Sequence, residues 1–260
     1  MTVETAVDTE FGWTSSSRSH VGLVRQVNED ACLDLPARGL WAVADGMGGH
    51  ALGDVASRMV VDTLGSLPPP ESLTQFITDA ADSLQSVNRQ LRTEAATRDV
   101  QIIGSTVVVL LAHQRSCSCL WAGDSRIYLF RDGRLSLLTR DHSQVEELLQ
   151  TGTITDADAL VHPARNLITR AIGASDILEL DQQTMEVMDG DMFLLCSDGL
   201  SNEVGEDDMR RALIPGNCRL ASDILVVMAL EHGGRDNVSV VVVRAEDLYS
   251  TEKTVLNPAL

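Results

Sequence analysis

Three consecutive prolines, Pro68-Pro69-Pro70, separate two amphipathic stripes. Before them Leu52, Val55, Ala56, Met59, Val60, Thr63 and Leu67 recur at i, i+3, i+4 spacing. After them Leu73, Phe76, Ile77, Ala80, Leu84, Val87 and Leu91 do the same. Proline fixes φ and lacks an N–H, so no helix runs through such a triplet. The pattern predicts two helices joined by a short turn, covering a sheet as one layer. β-Rich apolar runs lie before this pair at 21–24, 31–35 and 40–44. More follow at 107–112, 118–122, 127–131, 135–138, 183–187, 192–196 and 238–243, with one further helical stripe over 219–231. Asp132-Gly133 reads as a hairpin turn. Strands and helices are segregated rather than alternating, which favours α+β layers over a doubly wound parallel sheet.

With 260 residues and no repeat, low-complexity tract or linker, the chain reads as one domain over 1–260. The core spans about 15–244, with an arm or edge strand over 1–14 and a tail over 245–260. Aromatic residues are only 3% of the total, so the core must be built from Val, Leu, Ile, Ala and Met. A net charge of -18 argues against binding nucleic acid or an anionic membrane surface unaided. The five cysteines (Cys32, Cys117, Cys119, Cys196, Cys218) are odd in number and form no C-x-x-C, as expected of reduced thiols in a cytosolic protein. No apolar run approaches the ~18 residues of a membrane span, and no signal-peptide pattern opens the chain. A soluble, cytoplasmic protein is the expectation.

Five acidic motifs punctuate the apolar runs. In order they are Arg25-Gln26-Val27-Asn28-Glu29-Asp30, Ala44-Asp45-Gly46-Met47-Gly48-Gly49-His50, Gly123-Asp124-Ser125-Arg126, Ser197-Asp198-Gly199 and Asp236-Asn237. Hard divalent cations such as Mg²⁺ and Mn²⁺ take carboxylate, carbonyl and water oxygens. Several carboxylates meeting at one point would repel each other unless cations sat between them. The motifs therefore suggest a binuclear metal hydrolase, and Arg25 beside them suggests a phosphate substrate. The local alternative for the aspartates is the Asx-turn at a strand end, and for Asp124 a bond to Arg126 in its own turn.

Taken together and in this order, the five motifs resemble the PP2C (PPM) family of metal-dependent protein Ser/Thr phosphatases. Asp45-Gly46-Met47-Gly48-Gly49-His50, followed by Gly53-Asp54-x-Ala56-Ser57, resembles its bacterial branch. The resemblance runs from about Ser19 to Val243. It implies a four-layer α-β-β-α sandwich of two stacked antiparallel sheets flanked by helices. It further implies two Mn²⁺ or Mg²⁺ ions bridged by Asp45, with Asp198 and Asp236 on the first. The Gly46 carbonyl would be a further ligand, and Glu29 and Asp30 would hold the second, at least partly through waters. Asp124, with Asp198, would support a weaker third ion. Arg25 would bind the substrate phosphate. His50 is the candidate general acid, although the eukaryotic pattern places histidine directly after Asp-Gly, where this chain has Met47.

The implied reaction is hydrolysis of phosphoserine and phosphothreonine in proteins by a metal-bridged hydroxide. The implied partners are phosphoproteins, in particular a cognate bacterial Ser/Thr kinase or its targets, type VI secretion components among them by analogy. Two alternatives are a catalytically weak phosphoprotein-binding regulator of the same fold and a hydrolase of small phosphate esters. Asp141-His142 reads as architectural, and residues 143–165 as a flap from which His162 and Arg165 reach substrate. Ser105 in Gly104-Ser105-Thr106 replaces the family's usual threonine and keeps its hydroxyl. Ser250, Thr251 and Thr254 offer phosphorylatable hydroxyls in the tail.

Overall fold

The computed structural model describes residues 11–48, 52–159, 162–165 and 167–248. Among these residues eleven strands and seven α-helices follow in chain order, with a 3-10 turn at Pro36–Arg38: β1 (Phe11–His20), β2 (Asp30–Leu35), β3 (Leu40–Gly48), α1 (Gly53–Gly65), α2 (Leu73–Thr97), β4 (Ile103–Ser105), β5 (Val107–His113), β6 (Ser116–Ala122), β7 (Arg126–Arg131), β8 (Arg134–Leu137), α3 (Gln144–Gln150), α4 (Asp156–Ala159), β9 (Asp181–Glu186), β10 (Met192–Cys196), α5 (Asp198–Ser201), α6 (Glu206–Leu213), α7 (Cys218–Glu231) and β11 (Val238–Asp247). One sheet runs β1-β11-β10-β7-β8; the other runs β2-β3-β5-β6-β9, with β4 paired to β3. Every pairing between these strands is antiparallel.

The uninterrupted apolar runs are explained by burial of both strand faces. Successive side chains of a strand alternate between faces. In β5, Val107, Val109 and Leu111 pack under α1 and α2 with Val60, Leu64, Phe76, Leu84 and Leu91. Val108, Leu110 and Ala112 point the other way, into a core shared by the two sheets. Strand β11 repeats the device: Val241 and Val243 enter the inter-sheet core, while Val240 and Val242 pack beneath α6 and α7. Four layers result, helix–sheet–sheet–helix, as expected. Cys117 and Cys119 share one face of β6, and both lie in the inter-sheet core.

Other expectations are corrected. The run at 21–24 is not a strand but part of a loop, with Leu23 and Val24 exposed. Short elements β4, α5 and α6 were not anticipated. Residues 11–14 belong to an edge strand, as the arm was expected to do, and β1 extends it to His20. The tail hydroxyls of Ser250, Thr251 and Thr254 lie outside the described residues. No helix among the described residues is long and apolar enough to cross a membrane.

Candidate metal centre

Antiparallel pairing brings the acidic motifs together. In one sheet the end of β3 lies against the start of β2, with Asp45 opposite Asp30 in register. The start of β5 and the end of β6 meet at the same edge, Val107 opposite Ala122, and the turn carrying Asp124 follows. In the other sheet the end of β10 pairs with the starts of β7 and β11, Cys196 opposite both Arg126 and Val240. Asp198 follows β10 and Asp236 precedes β11. Residues up to 206 positions apart in sequence thus share one end of the sandwich.

Hydroxyls and two side-chain amides anchor several of these acidic residues, some through the backbone and some through the carboxylate. The Asp45 N–H donates to Thr106 Oγ1 at 3.1 Å, and Ser105 Oγ donates to the Asp45 carbonyl at 3.0 Å. Both hydroxyls of the Ser105-Thr106 pair are therefore used. Ser197 Oγ donates to Asp30 Oδ2 at 2.8 Å, and Asn202 Nδ2 donates to Asp198 Oδ2 at 3.1 Å. Asn237 ties three segments: its Oδ1 accepts from the Glu29 N–H, and its Nδ2 donates to the carbonyls of Val21 and Val27. Asp124 does not bond Arg126, because Asp141 holds that guanidinium with two contacts of 2.9 and 2.7 Å. Next to it, His142 accepts the Gly123 N–H on Nδ1 and donates its own N–H to the Gly123 carbonyl. The Asp141-His142 pair thus clasps both sides of Asp124.

None of these roles for Thr106, Ser197, Asn202 or Asn237 was read from the sequence. Replacing buried Asn237 with alanine should leave the Glu29 N–H and two carbonyls without partners. The expected loss is about 2–4 kcal/mol, or about 5–10 °C in Tm by calorimetry. A shift below about 1 °C would show that water replaces the side chain without loss.

The electrostatics are those of a frustrated cluster. Burial, then repulsion from Asp198 and Asp236, raises Asp30 to about 7. Burial and then Asp198 raise Asp124 to about 7. Burial and then Asp236 raise Asp198 to about 6, against the opposing pull of Arg25 and a hydrogen bond with Asp45. Asp45 is raised well above the ordinary carboxylate range by burial and by Asp30, Asp198, Asp124 and Asp236. One oxygen each of Asp30, Asp54 and Asp198 is buried without a hydrogen-bond partner. Buried acceptors of this kind are costly unless something positive meets them.

Gly53 supplies a further cue. A Cβ there would stand 2.5 Å from Glu29 Oε1 and 2.7 Å from the Gly46 carbonyl oxygen, so both oxygens crowd one point. An all-oxygen set of carboxylates and a carbonyl fits Mg²⁺ or Mn²⁺. Among the described residues, no three His, Cys, Asp or Glu side chains are close enough to grip one ion by themselves. Waters and the Gly46 carbonyl would therefore have to complete the shell. Arg25 lies at the edge of the cluster, half exposed, with Nη2 on Asp236 Oδ2 at 2.7 Å.

Beside Asp124 and Asp198 opens a cavity of about 350 Å³, whose walls include Arg126, Asp141, Asn202 and Arg165. Arg165 lines this cavity together with Asp124 and Asp198. His162 is not among the residues lining this cavity, and its Nδ1 accepts the Ala164 N–H. His50 lies outside the described residues. Thiolate chemistry is disfavoured: burial pushes Cys32, Cys117 and Cys196 up to about 12 and raises Cys119 well above the ordinary thiol range.

The family model described as protein phosphatase 2C matches residues 16–229. The chain belongs to this family. Among solved PP2C structures, PppA, a regulatory component of the type VI secretion system in Pseudomonas aeruginosa, is 45% identical with a TM-score of 0.84. That match covers 90% of this chain and 97% of the other. The catalytic domain of the Ser/Thr protein phosphatase PstP, solved with two manganese ions, is 34% identical with a TM-score of 0.83, covering 91% and 100%. The Ser/Thr phosphatase stp of Listeria monocytogenes is 34% identical over 241 residues, 88% of this chain and 94% of that protein. PstP of Mycobacterium tuberculosis is 36% identical over 247 residues; the match takes in 94% of this chain but only 48% of PstP.

Proposed function

We propose that this PP2C chain hydrolyses phosphoserine and phosphothreonine in proteins at a centre of two Mn²⁺ or Mg²⁺ ions. The observation that carries this reading is the meeting of Asp30, Asp45, Asp124, Asp198 and Asp236 at one end of the sandwich with buried, unpartnered carboxylate oxygens. Asp45 would lie between the two ions, with Asp198 and Asp236 serving the first and Glu29 and Asp30 the second. The Gly46 carbonyl would be a further ligand, and waters would bridge part of each set, since no three of the described His, Cys, Asp or Glu side chains close on one point. Asp124 and Asp198 would serve a weaker third ion. Such a pair of ions, when bound, would supply an activated water and offset phosphoryl charge.

The remaining roles fall to the chain itself. Arg25 carries five N–H donors in a planar fork, so one bond to Asp236 leaves donors for two phosphoryl oxygens. Asp236 holds the fork at the edge of the cluster, where the phosphate must arrive. Thr106 and Asn237 fix the backbones of Asp45 and Glu29, and Ser197 Oγ, itself held by the Ser239 N–H, holds the Asp30 carboxylate, so that little reorganises during the reaction. His50 is kept as the candidate proton donor to the leaving oxygen. The partners would be a cognate Ser/Thr kinase or its targets, and likeness to PppA, a regulatory component of type VI secretion, supports a place in secretion control.

The test is phosphate release from a phosphothreonine peptide. Release should require added Mn²⁺ and stop with a chelator, and Arg25→Ala should reduce kcat/KM about a hundredfold. Metal binding without release from any phosphopeptide would favour the binding-regulator alternative.

A further inference from the structure

The loop joining β1 to β2 carries five successive exposed residues, Leu23-Val24-Arg25-Gln26-Val27. Leu23 and Val24 are each 66% exposed and Val27 is 45% exposed. Single apolar residues at a surface are ordinary, but a cluster of them around a functional group marks a contact surface. This loop is also held in shape. Asn237 grips the carbonyls of Val21 and Val27, the Leu23 N–H donates to the Gly234 carbonyl at 2.7 Å, and Asn28 bonds Ser19. Gly22 has φ +82°, and a Cβ there would meet the Asp236 carbonyl oxygen at 2.2 Å. Only glycine allows the loop to lie so close to the Gly234–Asn237 turn.

The apolar side chains are therefore presented on a fixed backbone, at both sides of the arginine that reaches Asp236. We infer that Leu23, Val24 and Val27 form a docking surface for the residues flanking the phosphorylated side chain of a protein substrate, and that they select apolar flanks. This rests on the phosphatase reading above and deepens it to a substrate class. Charge favours this occupant over others. A chain of net charge -18 repels acidic flanks, an anionic bilayer and a second copy of itself. A second copy seated here would also cover Arg25. A surface already ordered loses little freedom on binding, so modest apolar contacts can count in full.

The test compares the wild type with the triple variant Leu23→Ser, Val24→Ser, Val27→Ser. Three Mn²⁺-supported substrates are used: a phosphothreonine peptide with leucine and valine flanks, the same peptide with glycine flanks, and 4-nitrophenyl phosphate. The wild type should prefer the apolar peptide about tenfold in kcat/KM. The triple variant should lose that preference, with 4-nitrophenyl phosphate turnover changed less than about twofold. An equal preference in both proteins would overturn the inference, as would equal loss on all three substrates. In parallel, anisotropy with the labelled peptides in an Asp198→Asn background reads binding without turnover. If the wild type released phosphate from none of the substrates, the phosphatase reading would fail. The anisotropy ratio would still decide the docking surface.

Discussion

Replacing Asp198 with asparagine should cut metal-dependent phosphate release at least about a thousandfold, about 4 kcal/mol in the barrier. The same change should make the metal-free protein more stable. Asp198 is half-buried, one of its oxygens is buried without a partner, and it sits among Asp45, Asp124 and Asp236. Asparagine keeps the shape and can keep a bond with Asn202 while removing one charge from a set of like charges. Without metal at pH 8, the variant should therefore exceed the wild type by about 1–3 kcal/mol. With Mn²⁺ the order should reverse, because the variant loses a ligand charge. Calorimetry of both proteins, with chelator and with Mn²⁺, checks the crossing. An unchanged Tm in chelator would mean that the cluster is not strained, and equal activity would remove Asp198 from the centre altogether. Opposite effects on stability and turnover distinguish a carboxylate kept for function from one kept for the fold.

Much of this arrangement is legible in the chain, for identifiable reasons. The run at 107–112 has apolar residues on both strand faces because α1 and α2 cover one and the partner sheet covers the other. The two stripes around Pro68-Pro69-Pro70 appear in the structure as α1 and α2 because each buries one face against a sheet. The acidic motifs stand out because a carboxylate beside a buried strand requires an explanation. What stays hidden is long-range. Asn237 looks like an ordinary turn residue until its bonds to Glu29, Val21 and Val27 are seen across 208 to 216 positions. Thr106 likewise acts on Asp45 from 61 positions away. The run at 21–24 misleads because β-branched apolar residues usually pair in sheets, whereas here a glycine and an asparagine hold them out in solvent. Helix α6 escaped because most of its eight residues are charged and only Met209, Ala212 and Leu213 are buried.

The pH dependence of stability should change sign when metal is removed. Asp30 and Asp124 are raised to about 7 and Asp198 to about 6, with Asp45 well above the ordinary range, in each case chiefly by burial. Unfolded aspartates titrate near 4. Between about pH 4 and 7 the folded, metal-free protein therefore holds more protons than the unfolded chain. Stability then falls as pH rises through this window and levels off above it. His142 acts in the opposite sense, since burial lowers it and folding resists its protonation, but it is one group against four. In chelator, Tm at pH 8 should lie at least about 5 °C below Tm at pH 5.5. Bound cations need the carboxylates ionised, so the stabilisation by Mn²⁺ should grow with pH and binding should release protons. Two measurements decide it: calorimetric Tm across pH 5 to 8, and the buffer dependence of the heat of Mn²⁺ binding. A flat metal-free profile together with no proton release would mean that these carboxylates are already ionised and separately solvated. The acidic end of the sandwich would then not be a site built around cations.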